Sequence, residues 1–128
     1  MILDEESQRF ADAVTAIEVP RPGDRPSSGD PVRPGSALTV AGCLDVLEAQ
    51  LTSRHVDLAA RWMQTRGRGY YTIGSSGHEA NAAVAAALRP TDPALLHYRS
   101  GGFYVRRAMQ LGPDSGIDPA RDILHGVA

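Results

Sequence analysis

The stretch "TVAGCLDVLEAQLTSRHVDLAARWMQTRG", residues 39–67, decides the fold class. Val40, Leu44, Leu47, Leu51, His55, Leu58 and Trp62 recur at steps of three and four, which draws one stripe along a helix rather than the alternation of a strand. Thr39 can accept a hydrogen bond from a backbone amide of the first turn. Gly67 follows a basic last turn and can adopt the left-handed conformation that closes a helix. The pattern predicts a long helix from about residue 39 to residue 66. It places His55 within the stripe, as a packed and hydrogen-bonded core or interface residue.

On the N-terminal side, residues 3–17 predict a short amphipathic helix with Phe10, Val14 and Ile17 on one side. The segment "VPRPGDRPSSGDPVRPGS", residues 19–36, holds five prolines and three glycines. Its few apolar groups cannot offset the entropy of ordering its backbone, so it reads as a linker or mobile arm. On the C-terminal side, "YYTIGSSGHEANAAVAAAL", residues 70–88, places a glycine–serine loop before an alanine-rich helix expected over 77–88. Proline 90 ends that helix by disfavouring helical geometry in Arg89. An extended piece over 94–97 and a helix over 102–110 follow, and "PARDILHGVA" starts a further helix at the chain end. The expected architecture is mainly α with one or two short strands, divided into a helix and Pro/Gly-rich arm over 1–38 and a body over 39–128. The stretch "DILHGVA" ends without a cap or turn residue, so the chain is expected to be a piece of something longer.

The chain has 128 residues and a formal net charge of -2, which is one modest core and no basic stripe for nucleic acid. A single cysteine, Cys43, cannot form an internal disulfide. The opening "MILDEESQRF" carries acids where a signal peptide carries bases. No run approaches the roughly 18 apolar residues of a membrane span. The expectation is a cytoplasmic chain without membrane or nucleic-acid partners.

The glycine–serine loop can be tested against motifs that use such loops. A phosphate loop needs Lys and then Ser or Thr after its last glycine, and Gly77 is followed by His78 and Glu79. The dinucleotide fingerprint fails at Thr72, where its third glycine belongs. A nucleophile elbow needs Gly-x-Ser-x-Gly, one residue longer than "GSSG". The zinc-protease pair fails because Ala82 stands where the second histidine belongs. A capping box, with Ser76 as cap and Glu79 three residues on, does fit.

A second polar cluster is "LLHYRSGGFYVRR", residues 95–107. Tyr98 and Arg99 precede a serine and two glycines that open a helix, where a planar guanidinium suits a phosphate or carboxylate. The structural alternative pairs Arg99 with an acid and packs Tyr98 in the core. Arg106 and Arg107 read as a solvated face. Among the histidines, His78 fits a helix start, His97 reads equally as structural or functional, and His125 is too near the end to interpret.

The ordered set Arg68-Gly69-Tyr70, Gly77-His78-Glu79-Ala80, Pro90-Thr91-Asp92 and Tyr98-Arg99-Ser100-Gly101 resembles the N-terminal part of the α subunit, or α-like half, of the thiamine-diphosphate-dependent 2-oxo acid dehydrogenases. These are the dehydrogenase components of the pyruvate and branched-chain complexes. The similarity covers about residues 40–112. It implies the N-terminal portion of an α/β thiamine-diphosphate-binding fold, with Tyr98 and Arg99 on the diphosphate and His97 lining the substrate pocket. It assigns no catalytic residue. The family's Gly-Asp-Gly motif with its downstream asparagine, which binds Mg²⁺, has no counterpart here, and His78 stands where the family carries Gln or Glu. The implied partners are a β subunit or fused β domain and a lipoylated acyltransferase component, in a homo-oligomer or heterotetramer. The implied reaction of the whole enzyme is oxidative decarboxylation of a 2-oxo acid with transfer of the acyl group to a lipoyl carrier, the fragment alone being inactive. Two other readings stand beside it: an acetoin dehydrogenase α subunit, and a non-enzymatic helical interaction module that binds through the face carrying His55 and Trp62.

Overall fold

The computed structural model describes residues 5–70 and 74–128. Five α-helices follow one another among these residues: α1 (Glu5–Thr15), α2 (Val40–Thr65), α3 (Asn81–Ala86), α4 (Gly101–Leu111) and α5 (Pro119–His125). Short 3-10 turns lie at Pro22–Asp24 and Pro113–Ser115. The described residues form no strand ladder. A lone antiparallel bridge joins Pro31 to Thr39. The segment 94–97, expected as a short strand, is irregular and has no second strand beside it; its Leu95 lies wholly in solvent.

Helix α2 starts and stops where its sequence signals lie. Thr39 is the N-cap, its Oγ1 accepting from the Gly42 amide at 3.1 Å while its carbonyl accepts from Cys43 at 2.9 Å. The amides of Val40 and Ala41 donate to the carbonyls of Asp30 and Ser28 at 2.9 and 2.8 Å. The amides of Val40, Ala41 and Gly42, which a helix start leaves without intrahelical acceptors, are thereby satisfied. The Pro/Gly-rich segment thus fastens its last part to the start of α2, helped by Asp30 Oδ2 accepting from the Ser27 amide at 2.7 Å. At the other end Gly67, with φ of 66°, donates to Gln64 O, and Arg68 donates to Met63 O, both at 2.9 Å. This pair of bonds is a Schellman closure.

The side of α2 that is buried is not the striped one. Ala49, Ser53, Val56 and Ala60 face the other helices. Leu44, Leu47, Leu51, Leu58 and Trp62 lie on the opposite side, with Leu44 58% and Trp62 52% exposed, and His55 is exposed among them. Of the two readings of His55, core or interface residue, the core one is therefore set aside. The reason is the closeness of α4. A Cβ added to Gly101 would stand 2.7 Å from Ser53 Oγ, and one added to Gly102 would stand 2.8 Å from the Glu79 carbonyl oxygen. Only a small side chain fits on α2 opposite Gly101, so the alanine and serine side of α2 meets α4 and the leucines are left outside.

The core is accordingly small: Ala49 of α2, Ala82 of α3 and Val105 of α4, flanked by Val46, Met109 and Ile123. Polar ties join its helices. Arg106 Nη2 of α4 lies 3.3 Å from Asp45 Oδ2 of α2. Tyr104 Oη donates to Asp122 Oδ2 of α5 at 3.0 Å, and burial, seconded by that carboxylate, raises the phenol pKa above its ordinary 10.0. Helix α5 begins at Asp118, whose Oδ1 accepts from the Arg121 amide at 3.0 Å, and closes at Gly126 within the chain. The Tyr70 amide donates to Val127 O at 2.9 Å, which ties the loop after α2 to the last residues.

Helix α3 is shorter than the expected 77–88. Gly77 has φ of 84°, a left-handed turn that keeps residues 77–80 out of the regular helix. The capping box does not form: Glu79 Oε2 accepts from the Gly77 amide at 2.7 Å, and Ser76 is exposed. Helix α1 packs against no other element, and its Phe10 and Val14 are exposed, as are Ile17 and Val19 beyond its end.

Candidate functional site

Residues 97–100 form a tight turn on the N-terminus of α4. The Ser100 amide donates to His97 O at 2.8 Å, and the His97 amide donates to Ser100 Oγ at 3.2 Å. Because that hydroxyl is turned back into the loop, it makes no capping bond to the amides of the first turn of α4. The helix opens with Gly101 and Gly102, which carry no side chain over those amides. An uncapped helix start presents a partial positive charge and free N–H donors to any anion in front of it.

The sequence-predicted residues lie at this turn. Tyr98 is 64% exposed, and its ring centroid lies 3.9 Å from that of His97. Arg99 Nε donates to Tyr98 Oη at 3.3 Å, and its guanidinium carbon sits 5.4 Å from the tyrosine ring centroid. The Arg99 amide donates to His97 Nδ1 at 3.4 Å. The alternative in which Tyr98 packs in the core is set aside by its exposure. The one in which Arg99 pairs with an acid finds no such ion pair among the described residues. Arginine and phenol hydroxyl make a cationic ledge ahead of the helix start, with Tyr98 exposed, Arg99 half-buried and Gly102 buried behind them.

Behind the ledge lies a set of polar residues that the motif reading passed over. Ser75 is buried, and both its amide and its Oγ donate to Asp57 Oδ2, at 2.6 and 2.7 Å. Its Oγ also lies 3.1 Å from Ser53 Oγ. Since the single Ser75 hydroxyl proton points to Asp57, Ser53 is the donor to Ser75. Ser53 in turn lies against Gly101. Asp57 and Ser53 are therefore the link by which α2 holds both the glycine–serine loop and the start of α4. The four-residue spacing of Ser53 and Asp57 along α2, on the side away from the leucines, is the sequence signal that could have found them.

The Pro90-Thr91-Asp92 turn forms a bracket on the far side. Asp92 Oδ2 accepts from the Arg89 amide at 2.9 Å, and its Oδ1 accepts from Arg89 Nε, also at 2.9 Å. These bonds, with the nearby Arg107 charge, hold the Asp92 carboxyl below its ordinary 3.8. Arg107 donates to Asp92 O at 2.5 Å, and its guanidinium lies over the Phe103 ring at 4.7 Å. Arg106 and Arg107 were expected on a solvated face. Both are half-buried, each engaged with a neighbouring element.

The expectations about the other histidines resolve as position only: His78 is exposed in the turn before α3, and His125 ends α5. No group of three or more His, Cys, Asp or Glu side chains suited to a metal ion occurs among the described residues. None of the described helices is long and apolar enough to cross a membrane. Comparison with known protein families, with curated proteins and with solved structures finds no match.

Proposed function

We propose that the chain supplies the diphosphate-gripping part of a thiamine-diphosphate-dependent 2-oxo acid dehydrogenase, an oxidoreductase acting on the oxo group of its donor with a lipoyl disulfide as acceptor. The observation that carries this reading is the placement of Tyr98 and Arg99 directly ahead of the uncapped start of α4. It is supported by the ordered family-like motifs and by the chemistry of the donors. A diphosphate group offers several anionic oxygens. The Arg99 fork would satisfy two in parallel, and the Tyr98 hydroxyl would donate to another. His97, one residue before this pair, is the residue that the resemblance puts in the substrate pocket.

When bound, thiamine diphosphate supplies the carbanion chemistry of decarboxylation. The residues here bind and orient its diphosphate tail. The Gly-Asp-Gly motif that the resemblance associates with Mg²⁺ has no counterpart in the sequence, so the grip of this chain alone is read as weak, with a β subunit or domain supplying the rest of the site.

Amide NMR spectra of the chain, titrated with thiamine diphosphate and separately with thiamine, test the reading and respond to weak binding. Thiamine diphosphate should move the Arg99, Gly101 and Gly102 amides while thiamine leaves them in place. Arg99→Ala should weaken that binding by about 1.5–3 kcal/mol, the scale of a hydrogen bond to a charged group. Equal shifts with thiamine, or an Arg99→Ala variant that binds as well, would refute it. A second reading, a helical interaction module, is favoured by the exposed apolar stripe with His55 and Trp62.

A further inference from the structure

Among the described residues, two apolar faces stand without a partner, and they match. One is the stripe of Leu44, Leu47, Leu51, Leu58 and Trp62 along α2, which extends over roughly 27 Å at the rise of an α-helix. The other is the side of α1 carrying Phe10 and Val14, continued by Ile17 and Val19. Contiguous exposed apolar surface of this kind marks an interaction site in a folded protein. Their charges are opposite as well. Residues 1–18 hold five acids and one arginine, whereas residues 58–68 hold three arginines, Arg61, Arg66 and Arg68, and no acid. On α2 the acids Asp45 and Asp57 are turned to Arg106 and Ser75, and the remaining acid, the exposed Glu48, lies in the N-terminal half of the stripe, away from these arginines. Arg66 lies at the end of the stripe, its guanidinium 4.0 Å from the Trp62 ring centroid.

The chain's own α1 packs against no element. Between it and the segment fastened to α2 lie Pro20, Pro22 and Pro26, which stiffen the connection and hold α1 off the body. A second copy of the chain offers the same stripe. We infer that two copies exchange their N-terminal arms, α1 of each lying along the exposed stripe of α2 in the other. The arrangement is isologous, so each chain both gives an arm and receives one, and the contact closes at two copies. The arm places Phe10 and Val14 against the leucines, with its acids near the arginines at the C-terminal end of α2.

Light scattering on the chain, with no thiamine diphosphate present, reads this inference separately from the cofactor reading. The chain should be a dimer, and deletion of residues 1–18 should leave a monomer with the α2–α5 circular dichroism intact. The double variant Phe10→Asp with Val14→Asp should be monomeric through its arm, and Leu51→Asp through its stripe. Mixed together they should form a heterodimer, since one chain keeps a sound stripe and the other a sound arm. That complementation shows both variants to be folded, and direct pairing of α2 with α2 does not produce it. A monomeric parent chain, a dimer that survives loss of the arm, or failure of the mixed variants to associate would each overturn the inference.

Discussion

Gly102 carries more of this fold than any leucine. Its Cα lies so near the Glu79 carbonyl that a methyl group would intrude on backbone, which cannot rotate away as a side-chain hydroxyl can. Alanine is the better helix former by about 1 kcal/mol. The clash nevertheless wins, because overpacking of this kind costs roughly 1–3 kcal/mol and the neighbour is fixed. Gly102→Ala should lower the urea midpoint and disturb α3 and α4 together. An unchanged midpoint would mean that the two helices stand further apart than described. Tyr104 acts at the same scale through its proton. Burial first, and the hydrogen bond to Asp122 second, raise its pKa above 10.0. The folded state therefore holds the phenol proton more tightly than the unfolded chain does, so this contribution is whole below pH 10.0 and is lost as pH rises through the folded value. Thermal midpoints followed into alkali should fall more steeply for the parent chain than for Tyr104→Phe.

At the scale of elements, helix ends were legible where the capping chemistry is local. Thr39 and Gly67 are the signals of α2, and both act as their residue types dictate. Thr39→Ala removes the acceptor for the Gly42 amide, and chemical denaturation should register a loss of about 1 kcal/mol. A loss near zero would mean that the bonds from Val40 and Ala41 to the preceding loop already hold the helix start. The glycine–serine loop was harder to read. Ser76 and Glu79 have the spacing of a capping box, yet Gly77 takes a left-handed turn and its amide captures the Glu79 carboxylate. The serine that matters is Ser75, which reaches Asp57 across 18 residues of sequence. Local spacing contains no information about that distance. The expected strand over 94–97 failed for a related reason: extended backbone becomes a strand only when another strand supplies its hydrogen bonds, and none is placed beside it.

At the scale of the whole molecule, the governing choice is which side of α2 to bury. Two sides of that helix are apolar, one of large residues and one of small. Periodicity ranks the large one higher because it weighs hydrophobic area. The assembled structure ranks the small one higher because Gly101 of α4 lies directly against the Ser53 side chain of α2, where nothing larger fits. The result leaves Leu44, Leu47, Leu51, Leu58 and Trp62 as surface, and arm exchange between two copies follows from that placement. The same choice sets the candidate site. Ser53 and Asp57 lie on the buried side of α2, where they hold Ser75 and press on Gly101, so the helix that supports the Tyr98–Arg99 ledge is held by the small-residue packing.

By itself the sequence determined the helical character, the ends of α2, the punctuation by proline and glycine, and the position of Tyr98 and Arg99 at the opening of α4. These follow from backbone sterics, caps and short-range hydrogen bonds, which act over a few residues. Only the tertiary structure decided which face of α2 is core and which serine binds Asp57. Those outcomes depend on how closely backbones far apart in the chain approach one another, and that distance is fixed only when all the helices pack at once.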